Sequence, residues 1–305
     1  MTTIPSRRKI ILLVCGGFDD FSQKNWQRHM PELSIMADVE PVFVSSNPTN
    51  SITPSIWEAL AQAIYDHYHQ ADGFVVLHDV DNLLFTSAAL SFQLQKLSKP
   101  IIFTGALGKQ AIKTSEVRGN IINAIQAVSF GVPEVSIMFG NRLIRASTAT
   151  RSTTKSLNAF TSPNESVIGK IYFSIRVFTG SKGSKKIKPL RANLEPNVAT
   201  LVLNPLFNVT TAKTLYTQAA GVVIDLAGFQ QLPEKNLAVI ADTTKAAMVL
   251  WAPHLTDDEA PKKTILVKNM TWHSTVTKLM WALKQTNNQT EITKLMVKDI
   301  TGELL

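Results

Sequence analysis

The sequence predicts an α/β protein with a larger N-terminal domain, built on a mostly parallel sheet, and a smaller C-terminal α/β domain. Two observations carry the first half of that statement. The runs Ile10–Val14, Gly73–Leu77 and Pro100–Thr104 are too continuously apolar for strands with one face in water. Segments with three-four apolar spacing alternate with them, and that alternation implies a parallel sheet covered on both faces. A third observation divides the chain. Thr179 to Pro196 is rich in Gly, Ser, Lys and Pro and lacks periodicity, which predicts a linker. The expected boundaries are residues 1–178, 179–196 and 197–305.

Each element has its own warrant. Ile10–Val14 is the first strand, followed by a polar stretch, Asp19 to Leu33, that predicts a short helix. Pro41–Val44 reads as the second strand. Thr53-Pro54 opens a helix, with threonine at the cap and proline at the first helical position. In that helix Trp57, Leu60, Ala61, Ile64, Tyr65 and Tyr68 form one apolar stripe. Gly73–Leu77, Pro100–Gly105 and Glu134–Phe139 are further strands, separated by helices over Leu83–Leu97 and Ser115–Phe130. From Asn141 to Phe178 the apolar runs shorten, predicting a hairpin or edge strands. Beyond the linker, Val198–Leu203, Gly221–Leu226 and Ala246–Trp251 are strands of the second domain. A helix near Thr271–Gln285 buries Val276, Leu279, Met280 and Leu283.

Composition excludes several classes. With 305 residues, 45% hydrophobic and 18% charged, the chain can bury cores for two globular domains. One cysteine rules out a disulfide framework and fits a reducing compartment. Met1–Lys9 is short and polar, and the run after it is too brief for a signal or membrane segment, so the expected location is cytoplasmic. The net charge of +8 is dispersed except at Lys182–Lys188, which lies among Gly, Ser and Pro without aromatics. That composition predicts a solvated loop rather than a nucleic-acid patch. His67 and His69, two apart on a helix, do not share a face and make no metal site.

The chemistry should sit at the strand ends, because open α/β sheets bind ligands beyond their C-terminal edge. The turns there are Cys15-Gly16-Gly17-Phe18 and His78-Asp79-Val80-Asp81-Asn82. Cys15 with His78 could supply a nucleophile and base. A thiol at the end of an apolar strand is expected to pack into the sheet as an inert group. Asp79 and Asp81 could form a metal or acid/base pair.

These turns and several other blocks resemble the asparaginase/glutaminase family, specifically its cytoplasmic type I branch. The further blocks are Asp72–Asn82, Lys99–Gly105, Ser115-Glu116 with Asn120–Ala124, and Asn141–Arg145 with Ala159–Asn164. Thr277–Leu283 with Gly302–Leu304 matches the ending of that branch. The resemblance implies an asparaginase-type fold, and in the family, hydrolysis of a side-chain amide through an acyl-enzyme on threonine. The matching positions differ here. The nucleophile's place in a Thr-Gly-Gly-Thr turn is Phe18. The second threonine, in a His-Gly-Thr-Asp-Thr turn, is Val80, and the glycine before it is Asp79. Asp81, the proton-relay and amino-group position, is retained, which implies a ligand-binding or turn-stabilising residue paired with Arg151. Cys15 precedes the nucleophile's place by three, and His78 falls at a family position that is mostly structural, which implies hydrogen bonding rather than catalysis. The lysine falls on Arg151, whose guanidinium stays protonated and cannot accept a proton. A Ser-Asp-Gly triplet reads Ser115-Glu116-Val117, and a Gly-x-Gly-Asn loop reads Gly228-Phe229-Gln230-Gln231. Ser46 and Thr49 are candidates for the carboxylate-holding serine, Thr49 fitting the spacing to Trp57 better. The segment before Trp57 is shortened, implying a reduced lid, and Arg142 and Arg145 are expected at subunit or domain contacts.

The resemblance thus implies a family member whose amide hydrolysis is lost or altered, with a ligand-sensing or interaction role. The alternative is a weakly active amidohydrolase on asparagine or another amide. Expected substrate-binding positions are Thr49, Asp79 and Asp81, with no metal and no cofactor. The expected partners are a small amino-acid-like ligand and further copies of the chain, as dimers or tetramers, with neither nucleic acid nor membrane.

Overall fold

The computed structural model describes residues 7–18, 21–22, 24–45, 52–107, 115–152, 158–163, 167–171, 175–178, 190–204, 216–243, 246–256 and 261–305. Ser46, Thr49 and residues 179–189 of the expected linker lie outside them. The chain forms two compact units, Met1–Ala192 and Asn193–Leu305.

In the first unit, strands β1 (Lys9–Cys15), β2 (Asp38–Ser45), β3 (Gly73–His78), β4 (Ile101–Thr104) and β5 (Val135–Phe139) run parallel. Strands β6 (Arg142–Arg145), β9 (Gly169–Ile171) and β10 (Ile175–Val177) continue the sheet antiparallel, in the order β10-β9-β6-β5-β4-β3-β1-β2. Between them, β7 (Thr150–Arg151) and β8 (Phe160–Thr161) pair as a separate small ladder. The expected edge strands after Asn141 therefore divide between the main sheet and this ladder.

Successive side chains of β1 and β3 face opposite sides, so each strand needs two apolar layers. Ile10, Leu12, Val14, Val75 and Leu77 pack with Val117, Ile121, Ala124 and Val128 of α5 (Ser115–Val128). Residues Trp26, Met30 and Leu33 join that layer. Trp26 opens α1 (Trp26–His29), Met30 caps its end and Leu33 opens α2 (Leu33–Met36), two short turns where one helix was expected. Pro31 stands between the two and cannot donate a helical N–H. On the other side, α3 (Pro54–His67) buries Trp57, Leu60, Ala61 and Ile64 as its periodicity predicts, and Tyr68 stacks on Phe74 at 5.9 Å. Thr53 has cap-like extended backbone, but its hydroxyl bonds Ser55 Oγ at 2.8 Å rather than a helix N–H.

Two boundaries differ from expectation for local reasons. Helix α4 (Leu83–Gln93) stops four residues early, and Lys96 adopts a positive φ of 55° that no helix continues. Strand β2 begins three residues before Pro41, which the ladder tolerates because β2 is an edge strand. Arg145 pairs with Glu134 within its own unit, both Nε and Nη2 reaching Oε2 at 3.0 Å.

Among the described residues the second unit has four parallel strands, β11 (Val198–Val202), β12 (Gly221–Asp225), β13 (Ala247–Trp251) and β14 (Thr264–Val267), in sequential order. Helices α6 (Glu234–Thr243), α7 (Trp272–Gln285) and α8 (Gln289–Val297) accompany them. Strand β14 and helices α6 and α8 add to the elements expected there. Thr271 caps α7, accepting from Ser274 N at 3.4 Å. The helix lies so close to the sheet that a Cβ on Gly221 would sit 2.9 Å from both Leu279 and Leu283. No helix among the described residues is long and apolar enough to cross a membrane.

Candidate functional site

The register of the first sheet brings the two motif turns together. Cys15 is the ladder partner of His78, so the chain leaves β1 and β3 at the same level, on adjacent strands. Gly16 then takes φ 138°, and its N–H donates to Ser45 O at 2.9 Å. That conformation suits glycine, and the surroundings demand it as well. A Cβ on Gly16 would lie 2.8 Å from Asp79 Oδ2 and 3.2 Å from the Phe18 ring. Phe18 and Asp79 therefore converge on the space over the glycine.

Phe18 is buried at 6% exposure and belongs to the apolar cluster that includes Val14, Phe21 and Trp26. Its carbonyl accepts from Phe21 N at 3.0 Å. Asp79 is 1% exposed and Val80 5%. The third turn of the edge closes on Val80 from the far side. A Cβ on Gly105 would collide with the His78 carbonyl and come within 3.2 Å of Val80 Cγ2.

His78 is wholly buried, and its Nδ1 donates to Asp79 O at 2.6 Å. With that nitrogen carrying the proton, Nε2 is a lone pair and has no hydrogen-bond partner in the structure. Burial brings the ring's pKa down to about 4, against a small opposing effect of the hydrogen bond. A neutral, sequestered imidazole is a structural group, as expected. Cys15 is also buried, and burial, aided by the Asp79 charge, pushes its thiol up to about 12. A thiol so hard to ionise is no nucleophile at neutral pH.

Among the described residues, this edge exposes an ion pair. Arg151, on β7 opposite Phe160, places Nη1 3.8 Å from Asp81 Oδ1, with side chains 50% and 77% exposed. Glu116, in the first turn of α5, accepts from Leu107 N at 3.1 Å, while Val117 beside it is fully buried. In the second unit the loop after β12 is tied by Gln230 O, which accepts from Thr256 N and Oγ1 at 3.0 and 2.8 Å. No group of three metal-ligating side chains gathers among the described residues. Sequence reasoning placed Asp79 and Asp81 together as ligand-facing carboxylates. The structure separates them, one enclosed and one in solvent. Gly16 was the available signal, since a strand end that cannot carry a Cβ marks a close approach.

A two-unit α/β architecture with its motif turns side by side at the carboxyl edge of a mostly parallel sheet defines the class. A family model described as asparaginase, N-terminal, matches residues 15–182. The chain belongs to the asparaginase family. It is 28% identical to L-asparaginase 1 of Escherichia coli strain K12, over 90% of this chain and 86% of that protein. It is 26% identical to the L-asparaginase of Thermococcus kodakarensis, over 88% of this chain and 87% of its relative. The solved structure of the Thermococcus kodakarensis enzyme superposes with TM-score 0.86 at 24% identity, covering 97% of this chain and 99% of that one. L-asparaginase I of Vibrio cholerae gives TM-score 0.82 at 22% identity, covering 98% and 100%. At those identities the superpositions establish the fold.

Proposed function

We propose that this chain is a catalytically inactive member of the asparaginase family that senses a small amino-acid-like ligand at the sheet edge. The observation that carries the reading is Phe18, a ring without a hydroxyl, packed into the core where the first motif turn ends. Threonine-based acyl transfer needs a nucleophile, a second hydroxyl and a group that can take a proton. Phe18 and Val80 supply no hydroxyl, and Arg151 holds its protons at any accessible pH. Cys15, buried with a thiol near 12, does not replace them. Loss of a nucleophile lowers turnover by orders of magnitude, and here the proton acceptor is replaced as well.

The sensing half of the proposal rests on Asp81 and Arg151, the charged pair exposed at the same edge. Asp79, enclosed beside Gly16, then serves the turn, and Thr49 remains a candidate for the ligand's carboxylate. The protein works in this reading as a cytoplasmic dimer or tetramer, with domains at 1–178 and 197–305 joined by 179–196. Purified protein should release no ammonia from asparagine, glutamine or short amides. Titration calorimetry with free amino acids should show binding that Arg151→Ala weakens. Sustained turnover abolished by Asp81→Ala would refute the inactive state. A Phe18→Thr/Val80→Thr/Arg151→Lys triple variant that gains hydrolysis would support it. The second reading, a weakly active amidohydrolase, is favoured by the retained Asp81. If neither turnover nor ligand binding occurs, an interaction role is left.

A further inference from the structure

The last eight residues close around the most deeply buried charges described in the second unit. Lys278, in the middle of α7, and Glu303 both have side chains at 0% exposure, with Nζ 2.5 Å from Oε1. Lys278 Nζ also donates to Lys298 O at 2.6 Å and points at Met270 Sδ at 3.8 Å, so its three protons are all directed at acceptors. Glu303 is equally saturated. Ile300 N donates to both oxygens at 3.1 Å, and Thr301 donates to Oε2 from N at 2.7 Å and from Oγ1 at 3.2 Å. The chain turns there through Gly302 at φ 81°, whose N–H donates to Asp299 Oδ1 at 2.7 Å. Leu305 N then bonds Asn269 O at 2.8 Å.

The amides of Ile300 and Thr301 have thus left ordinary secondary structure and spend their donors on one carboxylate. The carboxylate in turn is held by a cation from another element. Two ions removed from water cost several kcal/mol each unless paired, so the segment has one favourable closed arrangement and a large penalty for half-closure. That is the property of a latch rather than of graded packing. We propose that residues Lys298–Leu305 form a charge-latched strap that opens as a unit when either ion is neutralised, freeing the Asn269–Met270 segment that leads into α7.

The segment it holds reaches further. Met270 O accepts from Trp251 Nε1 at 2.8 Å, and the Trp251 and Trp272 rings meet edge to face at 5.3 Å. An opened strap therefore changes the setting of two indoles. The charged groups facing Glu303 are its partner Lys278 from α7 and Asp299 from the strap itself, and Lys278 faces both carboxylates. Burial works to raise the Glu303 carboxyl, but Lys278 and the hydrogen bonds outweigh it and bring the group below its ordinary value. Asp299 moves upward, through burial and then through its hydrogen bond to Glu303. A carboxyl depressed in the folded state holds its contribution above its ordinary value and loses it as pH falls through the depressed one. The strap is accordingly closed at neutral pH and opens in acid as Glu303 takes up a proton; Lys278, which burial lowers against the opposing pull of Glu303, opens it in alkali by losing one.

The test is amide hydrogen exchange on the full-length protein and on Glu303→Gln at neutral pH. Exchange at Ile300, Thr301 and Leu305 should accelerate on the order of a hundredfold or more in the variant. Val222, Val223 and Ile224 in β12 should change far less, and tryptophan fluorescence should shift. Equal acceleration at the strap and at β12 would reduce the pair to a contributor to global stability and overturn the proposal, as would no acceleration at all. If Glu303→Gln does not fold, the wild type decides. Strap amides that exchange faster than β12, through an opening with its own smaller denaturant dependence, support the latch. Strap and β12 amides exchanging together contradict it.

Discussion

Replacing Phe18 by threonine, the residue type that the motif resemblance implies for this position, should unfold the first unit more readily rather than simply install a nucleophile. The ring is 6% exposed and packs with Val14, Phe21 and Trp26. Truncating a buried phenylalanine costs about 3–5 kcal/mol, the sum of lost transfer free energy and a residual cavity. Threonine refills part of that volume but adds a hydroxyl, and a buried hydroxyl without a partner costs about 1–3 kcal/mol. The two corrections nearly offset, leaving a loss of about 3–5 kcal/mol. For a unit of this size, each kcal/mol lowers the melting temperature by roughly 2–4 °C, so a decrease of roughly 6–20 °C follows. Differential scanning calorimetry of wild type and variant, supported by urea midpoints, reads it directly. A loss under about 1 kcal/mol would mean that the ring lines an accessible cleft, and the account of a closed turn would be wrong.

Gly16→Ala should be destabilised by about 2–6 kcal/mol, combining backbone strain at φ 138° with overpacking against Asp79 and Phe18. Adding Asp79→Gly should recover the part of the loss due to the Asp79 clash in urea unfolding, but neither the strain nor the contact with Phe18. His78 is held near pKa 4 by burial, well below its ordinary value of 6.5. Its contribution is complete above pH 6.5 and is lost as pH falls from 6.5 toward 4, about 3 kcal/mol in all. His78→Asn should flatten that part of the urea-midpoint profile; His273, also near 4 through burial, leaves a residual slope. Cys15 should resist thiol reagents at pH 8 in native protein and react on unfolding, as a buried thiol near 12 requires. Arg151→Ala should change stability by no more than about 1 kcal/mol by thermal melting, because its pair with Asp81 is long and solvated.

Legibility in the sequence followed the strength of local patterns. Strands such as Ile10–Val14 and Gly73–Leu77 were readable because burial on both faces leaves no polar position to confuse the period. Helix α3 was readable from the stripe of Trp57, Leu60, Ala61 and Ile64. Strand β14 spans four residues and helices α6 and α8 ten and nine, so each offers few repeats from which a period can be read. The end of α4 turned on the positive φ of Lys96, which no side-chain type announces. Lys278 passed as one more charge in a helix, because only the tertiary fold sets Glu303 against it, 25 residues further along the chain.

The sequence by itself determined the α/β class, the two strand-end turns and the chemical poverty of residues 18 and 80. Each of these depends on residue type and local order, which a chain states outright. What only the tertiary structure decided is which groups face inward. Asp79 and Asp81 are two positions apart on one turn, yet one carboxylate is enclosed beside Gly16 and the other meets Arg151 in solvent. Burial of a single side chain depends on what neighbouring strands bring to it, and here β1 delivered Gly16 and Phe18 to the place where β3 ends.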